Sequence, residues 1–261
     1  MSENLLNNCL RRFFVFVMIT SRQNEFIKRV ASLKDKKYRE LCGEYIIEGI
    51  KQVREAVRSG QEIVNVVVSP LYRGEVFLPD RTVEVSEGVF DKLSEEAAPQ
   101  GILAVLKIPK TELSPPSDSC LLLDGVSDPG NLGTIIRTAN AAGYGELYLR
   151  NCADPYAPKC VRAAMSGLFF VRIYRISETG TLFDGVSLIC ADMAGENVFS
   201  FRAPEKFCLV IGNEANGVSG AVRGMCAHTV SIPMRESCES LNAGVSAGIL
   251  MYALSEGARG K

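Results

Sequence analysis

The 261-residue sequence is first narrowed by what it lacks. It has no C-x-x-C pair, no G-x-G-x-x-G loop, one histidine, and no apolar run longer than the seven residues 13–19. The missing cysteine pair removes zinc ribbons and thioredoxin-like redox sites. The missing glycine pattern removes an ordinary dinucleotide-binding loop. His228 precedes a strand-like run and reads as structural, so nothing points to a metal. Seven apolar residues cannot cross a bilayer, which needs about 20. A net charge of −1 means that bulk charge does not draw the chain to nucleic acid or membrane. With 47% hydrophobic and 23% charged residues, low complexity, collagen and coiled coil are excluded. The length suits one large domain or two modest ones, with a core that needs no disulfides.

Nine cysteines stand at 9, 42, 120, 152, 160, 190, 208, 226 and 238. Scattered singly, they read as small buried hydrophobes of a reducing compartment, which places the chain in the cytoplasm. Arg11 and Arg12 ahead of the run 13–19 imitate a signal peptide, but no small-x-small cleavage site follows. The favoured reading takes residues 1–18 as an extension, disordered or upstream of a true start at Met18.

Charge is uneven. Residues 11–39 hold nine of the 29 cations and two of the 30 acids, a local +7 that leaves the remainder at −8. A basic helical segment on a mildly acidic body suggests a polyanion contact at one end, with Arg22, Lys28, Arg29, Lys34, Lys36, Lys37 and Arg39 as candidate RNA-binding side chains. The plainer alternative is a solvated helix face.

No internal repeat is visible. Residues 109–118 are polar and hold three prolines, a linker composition between apolar runs. Before it, residues 19–108 read as a basic helical region to about residue 40 followed by a small α/β domain. Its strands are near 45–47, 63–69, 82–85 and 102–106, and its helices near 49–58 and 86–93. After it, residues 119–261 alternate strands (120–123, 146–149, 188–191, 207–211, 229–232) with helices (132–142, 158–166, 218–226, 241–255). Continuous apolar strands between helices imply an α/β fold with a parallel sheet covered on both faces. Ligands then bind at the carboxyl ends of the strands, so the strand-to-helix loops carry the chemistry.

Three such loops stand out. The first runs Asp124-Gly-Val-Ser-Asp-Pro-Gly-Asn131-Leu-Gly-Thr-Ile-Ile-Arg137-Thr-Ala-Asn140. Leu132, Ile135, Ile136 and Ala139 keep the spacing of a buried helix face. Arg137 lies about 9 Å along the axis from Asn131. Its side chain leans back toward the positive helix mouth, a setting for a phosphate or a developing alkoxide. The alternative is an N-capping Asn131 and a surface Arg137. The second loop is Ile211-Gly212-Asn213-Glu214-Ala215-Asn216-Gly217-Val218, where glycines let backbone approach a ligand and Glu214 accepts hydrogen bonds or caps a helix. The third is Ile232-Pro233-Met234, then Ser240-Leu241-Asn242-Ala243-Gly244-Val245-Ser246-Ala247-Gly248, with Ser240 a candidate N-cap. Gly244, Ala247 and Gly248 leave one helix side bare, so two backbones can meet there.

Together these loops resemble the SpoU (TrmH-type) RNA 2′-O-ribose methyltransferases of the SPOUT superfamily, over the whole of residues 120–256. Residues 45–56 (Tyr-Ile-Ile-Glu-Gly-Ile-Lys-Gln-Val-Arg-Glu-Ala) and 100–105 more loosely resemble the substrate-binding module that precedes that domain, itself similar to a small RNA-binding ribosomal protein. The resemblance implies a Rossmann-like C-terminal sheet tied in a deep trefoil knot, a homodimer through the knotted domains, and S-adenosyl-L-methionine as cofactor. It implies cofactor contacts at Ile211, Gly212, Asn213, Gly217, Ile232, Pro233, Met234, Leu241 and Asn242. Arg137 matches the family's catalytic arginine, with Asn131, Glu214, Ser240 and Asn242 as the other motif residues. The implied activity is methyl transfer to a ribose 2′-hydroxyl, of 23S-type ribosomal RNA by analogy with chains carrying the extra module. Transfer RNA is the alternative substrate, and a non-catalytic RNA-binding protein of the same fold the alternative class. Intact Arg137, Asn131 and Asn242 weigh against the latter.

Overall fold

A computed structural model describes residues 18–259, and the expectation for residues 1–17 lies outside them. The chain divides into two compact units, one running to Pro109 and including Tyr156–Pro158, the other made of Lys110–Pro155 and the residues from Lys159 onward.

The first unit opens with two short helices, α1 (Glu25–Ser32) and α2 (Lys36–Cys42), in place of one basic helical region. Asn24 caps the first by accepting from Phe26 N, and Asp35 caps the second by accepting from Lys37 N. Gly43, at φ +62°, ends the second in the left-handed turn that glycine tolerates. There follow β1 (Glu44–Glu48), α3 (Ile50–Arg58), β2 (Ile63–Val68), β3 (Thr82–Glu84), α4 (Glu87–Leu93) and β4 (Ile102–Lys107). The strand order is β1-β4-β2-β3, with β4 antiparallel to both neighbours and β2 parallel to β3. Ile27 and Val30 of α1 and Val89 and Phe90 of α4 bury against Val67, Leu103 and Val105 of the sheet.

The second unit holds β5 (Cys120–Asp124), α5 (Pro129–Ala142), β6 (Glu146–Arg150), α6 (Pro158–Ala164), β7 (Arg172–Ile176), β8 (Ser187–Asn197), β9 (Phe207–Gly212), α7 (Gly220–Arg223), β10 (His228–Ser231) and α8 (Ala243–Arg259). The six strands run β10-β8-β9-β5-β6-β7, every neighbouring pair parallel. β5 lies between β9 and β6 and is buried along its whole length, which explains its unbroken apolar run. The chain winds outward from β5 to β7, then crosses to β8 and returns through β9. The three motif loops begin past the carboxyl ends of β5, β9 and β10, and the reversal of strand order between β5 and β9 leaves a crevice there.

Several elements differ from the reading of the sequence. β7 was not expected: it lies at the sheet edge, buries Ile173, Tyr174 and Ile176, and exposes Arg172 and Arg175. β8 runs six residues beyond 191. The expected helix 218–226 shrinks to the single turn α7, with glycines at both ends. Part of the linker is tied down. Ser117 donates from N and Oγ to the Glu146 carboxylate at 2.8 and 3.1 Å, and Tyr148 Oη donates to the Ser114 carbonyl at 2.9 Å. Of the eight described cysteines, all are free thiols. Four are buried (120, 160, 190, 208), while Cys238 alone is exposed. Among the described residues no helix is long and apolar enough to cross a membrane, and no cluster of His, Cys, Asp or Glu could hold a metal.

Candidate active site

The first loop leaves β5 at Asp124, whose side chain is 3% exposed. Its carboxylate accepts from Arg150 Nη1 at 2.7 Å and from Ser219 N at 2.8 Å. Burial pushes this carboxyl up, but the hydrogen bonds from Ser219 and Arg150 outweigh it and hold the pKa below the ordinary range. Asp124 thereby joins the ends of β5 and β6 to the residue that opens α7.

The cap of α5 is Asp128, not Asn131. Asp128 accepts from Asn131 N at 2.8 Å, and Pro129 occupies the first turn, where its missing N–H costs nothing. The Asn131 side chain is therefore available. It donates from Nδ2 to Glu214 Oε1 at 3.0 Å and accepts at Oδ1 from Asn242 Nδ2 at 2.8 Å. Ser127 donates from N and Oγ to the other Glu214 oxygen at 3.4 and 3.3 Å. Partial burial raises the Glu214 carboxyl, but these donors from Asn131 and Ser127 reverse the shift, so Glu214 titrates below the usual range and stays ionised. One residue from each of the three loops is thus joined in a single line, Glu214–Asn131–Asn242.

The second loop depends on two glycines. A Cβ on Gly212 would stand 2.2 Å from Gly217 C and 2.3 Å from Val218 N, both backbone atoms that cannot swing aside. Gly217 sits at φ +66°, and it and Asn213 exchange two backbone hydrogen bonds of 2.9 Å. The loop is a tight turn folded against its own strand. In the third, Asn242 rather than Ser240 caps α8, accepting from Gly244 N and Val245 N at 2.9 and 3.2 Å. That cap sets the helix start at Ala243 rather than 241. The bare side of α8 meets α5 as expected: a Cβ on Gly244 would lie 3.0 Å from Thr134 Cγ2.

Between the second and third loops lies a cavity of about 470 Å³. Of the residues expected at a cofactor, Ile211, Gly212, Asn213, Gly217, Ile232, Met234 and Leu241 line it. So do Glu214 and Ser240. Pro233 and Asn242 do not, and neither do Asn131 and Arg137. Arg137 is exposed on α5 and makes no side-chain hydrogen bond or ion pair among the described residues. Arg137 makes no bond to Asn131, whose side chain is committed to Glu214 and Asn242. Sequence reasoning missed Asp192, Met193 and Arg223 in the wall. Asp192 follows the buried start of β8, so the rule that ligands sit past strand ends could have found it. Arg223 arrives through tertiary structure alone.

The basic side chains of the first unit have internal partners. Lys28 pairs with Glu25 (2.9 Å), Arg29 with Glu44, Lys34 with Glu95 (2.9 Å) and Lys36 with Glu40 (3.7 Å). Arg22 donates to the Gly88 carbonyl at 2.8 Å, and Lys37 lies 6.0 Å from the Tyr38 ring centre. Arg39 is 3% exposed and spends its guanidinium on the Leu33 and Lys34 carbonyls, at 2.8 and 2.7 Å. Its role is to close the break between α1 and α2.

Comparison with known proteins agrees with this geometry. Residues 118–252 match the SpoU rRNA Methylase family, and residues 24–104 match the MRM3-like substrate binding domain. The chain belongs to the SpoU rRNA Methylase family. It is 33% identical to the 23S rRNA (uridine(2479)-2′-O)-methyltransferase of Streptomyces viridochromogenes, over 90% of each chain. It is 32% identical to the 23S rRNA (guanosine(2553)-2′-O)-methyltransferase RlmP of Bacillus subtilis, over 90% of this chain and 98% of that one. Among solved structures, the AdoMet-bound rRNA methyltransferase of Sinorhizobium meliloti superposes with a TM-score of 0.80 at 28% identity, covering 90% of this chain and 96% of that one.

Proposed function

We propose that this protein transfers a methyl group from S-adenosyl-L-methionine to a ribose 2′-hydroxyl of 23S-type ribosomal RNA, acting in the cytoplasm as a homodimer through a knotted C-terminal domain. The observation that carries the reading is the Glu214–Asn131–Asn242 line, which ties all three motif loops together at the edge of the cavity. The cavity suits the cofactor. Its volume falls within the range of small-molecule sites, about 300–1,000 Å³. One side is apolar, with Ile211, Ile232, Leu241 and Leu250, as an adenine ring requires. Gly212 and Gly217 bring backbone donors and acceptors close on another. When bound, the cofactor supplies an electrophilic methyl on a sulfonium.

Arg137 serves the other reactant. Its guanidinium, with a pKa above about 12, is a poor base, so its part is to hold an RNA phosphate and stabilise the alkoxide that develops as the 2′-hydroxyl loses its proton. Its exposure and lack of partner leave all its donors for RNA. Asn131 and Glu214 fix the mouth of α5 on which Arg137 is carried, and Ser240 and Asn242 shape the cavity rim. In the first unit, Lys28, Lys36 and Lys37 are the cations most available for phosphates, with Arg22 and Lys34 after them, while Arg29 is held by the buried Glu44. Exposed ion pairs are worth only about 0–1 kcal/mol and exchange readily for phosphate contacts. Arg39 is withdrawn from that set by its burial. For the dimer, Val245 and Tyr252 of α8 are 51% and 46% exposed, an apolar face that a second copy would cover.

The test is methyl transfer from labelled cofactor to unmodified 23S, 16S and transfer RNA, with the label mapped by nuclease digestion. Label on one ribose 2′-oxygen of 23S RNA is the expected result. Label on transfer RNA, or on a base, refutes the proposal.

A further inference from the structure

Three kinds of wall enclose the cavity. The apolar side suits adenine, and the side with Glu214 and Ser240 belongs to the reacting end, through its tie to α5. The third side is an ion pair between Asp192 and Arg223, which the family reading leaves without a task. In the cofactor, the ribose joins adenine to the reacting sulfur. It is also the part that presents two adjacent hydroxyl donors.

Asp192 stands in the wall of the cavity together with Gly212. Cys190 pairs with Val210 of β9 and with Thr229 of β10; the β8–β10 register then shifts to Glu196, so Asp192 falls in the irregular stretch between. Cys190 packs into the core with Val222 of α7, and Asp192 pairs with Arg223 on that same helix. The Asp192 carboxylate accepts from Ala194 N at 3.0 Å on one oxygen and from Arg223 Nη2 on the other. A carboxylate has about four acceptor positions, so two remain. Its side chain is 24% exposed, open to the cavity. The hydrogen bonds from Ala194 and Arg223 also keep its pKa below the ordinary range.

We propose that Asp192 reads the ribose of the cofactor, accepting its hydroxyls, and that Arg223 is a positioning residue that aims the carboxylate. This rests on the cofactor assignment above. A carboxylate on a ribose diol is the solution many nucleotide sites use. Here it adds a second carboxylate to a wall that also holds Glu214 and Ser240.

Calorimetry on the full chain separates the two ideas. The ligands are S-adenosylhomocysteine, its 2′-deoxy and 3′-deoxy analogues, and methylthioadenosine, which keeps the ribose and lacks the amino-acid end. Binding of S-adenosylhomocysteine to the parental protein tests the cofactor reading; its absence refutes that reading and this one with it. Removing a hydroxyl from the ligand is expected to cost the parental protein about 10-fold in affinity, the value of a hydrogen bond to a charged group. Asp192→Ala is expected to bind S-adenosylhomocysteine about 10-fold more weakly and to distinguish it from the deoxy analogue by less than twofold. Asp192→Asn, which keeps the shape, should fall between the two and replaces the alanine variant if that fails to fold. Arg223→Ala should weaken the discrimination and Arg223→Lys restore most of it. If Asp192→Ala loses the same factor for deoxy and parent ligands, or weakens S-adenosylhomocysteine but not methylthioadenosine, the ribose assignment is overturned.

Discussion

Replacing Asp124 should loosen the cavity from beneath without touching it. Asp124 is 3% exposed and Arg150 20% exposed in their side chains, so both are sheltered from water. Removing one partner of a buried pair costs about 3–5 kcal/mol, because the other charge is left without its counterpart. Arg150 retains some access to water, which puts Asp124→Ala near the lower end, about 3 kcal/mol. Two of the lost bonds run to Ser219, the residue that follows the loop of Gly212 and Gly217. The local readout is hydrogen exchange at the Ser219 amide, which should quicken by roughly 100-fold. S-adenosylhomocysteine affinity should fall with it. The pH dependence has a definite sign. The folded pKa of Asp124 lies below the unfolded value of about 3.9, so its contribution is complete above that value and is lost as pH falls through the folded one. The stability gap between parental and variant proteins should therefore be constant at neutral pH and shrink only below about pH 4. A loss under about 1 kcal/mol, or a gap that persists in acid, would refute the reasoning.

Gly212→Ala should raise the cofactor dissociation constant by roughly 10- to 100-fold, since overpacking costs about 1–3 kcal/mol and the atoms in the way are backbone; isothermal titration would show it. Arg137→Ala should lower the methylation rate by about 100-fold or more while S-adenosylhomocysteine affinity changes less than about threefold, because Arg137 lies outside the cavity wall; parental turnover would remove it from the mechanism. A maleimide should label Cys238 well before Cys120, Cys160, Cys190 or Cys208, which are buried, as peptide mass mapping would reveal. Raising salt should weaken RNA binding steeply, and Arg39→Ala should differ from Lys37→Ala in kind: the first lowers thermal stability of the first unit, the second reduces the salt slope by about one contact.

What could be read from the sequence followed from how many faces of an element are buried. β5, buried throughout, announces itself as Cys-Leu-Leu-Leu, and the buried face of α5 keeps its period. β7 escaped because an edge strand half open to water shows only Arg-Ile-Tyr-Arg-Ile. The motif residues were legible as types in order, but their partners were not. The sequence offered Asn131 as a possible cap of α5, and the structure gives the cap to Asp128 and so releases Asn131. The same limit explains the cations of 22–39. Composition counts charge, whereas their partners Glu44 and Glu95 come from elsewhere in the fold. Asp192 and Arg223, 31 residues apart, meet through the β8–α7 packing and leave no local pattern.

The separation of Arg137 from the cavity follows from the two reactants having different sizes. A cofactor of a few hundred cubic ångströms can be enclosed, and enclosure strengthens every hydrogen bond that orients it. On the proposed mechanism a ribose within a folded RNA cannot be enclosed, so Arg137, the residue assigned there to its alkoxide, stands in the open. The two halves must still hold register, since a shift of 1 Å in a reacting pair costs about 100-fold in rate. Here the connection is one helix. Asn131 at its mouth is bonded to Glu214 in the cavity wall, and Arg137 lies six residues further along the same rigid α5. Asn131→Ala should therefore resemble Arg137→Ala in its effect on rate while leaving Arg137 in place. Restoration of full turnover in an Asn131→Ala protein would mean that the helix keeps its position without that bond.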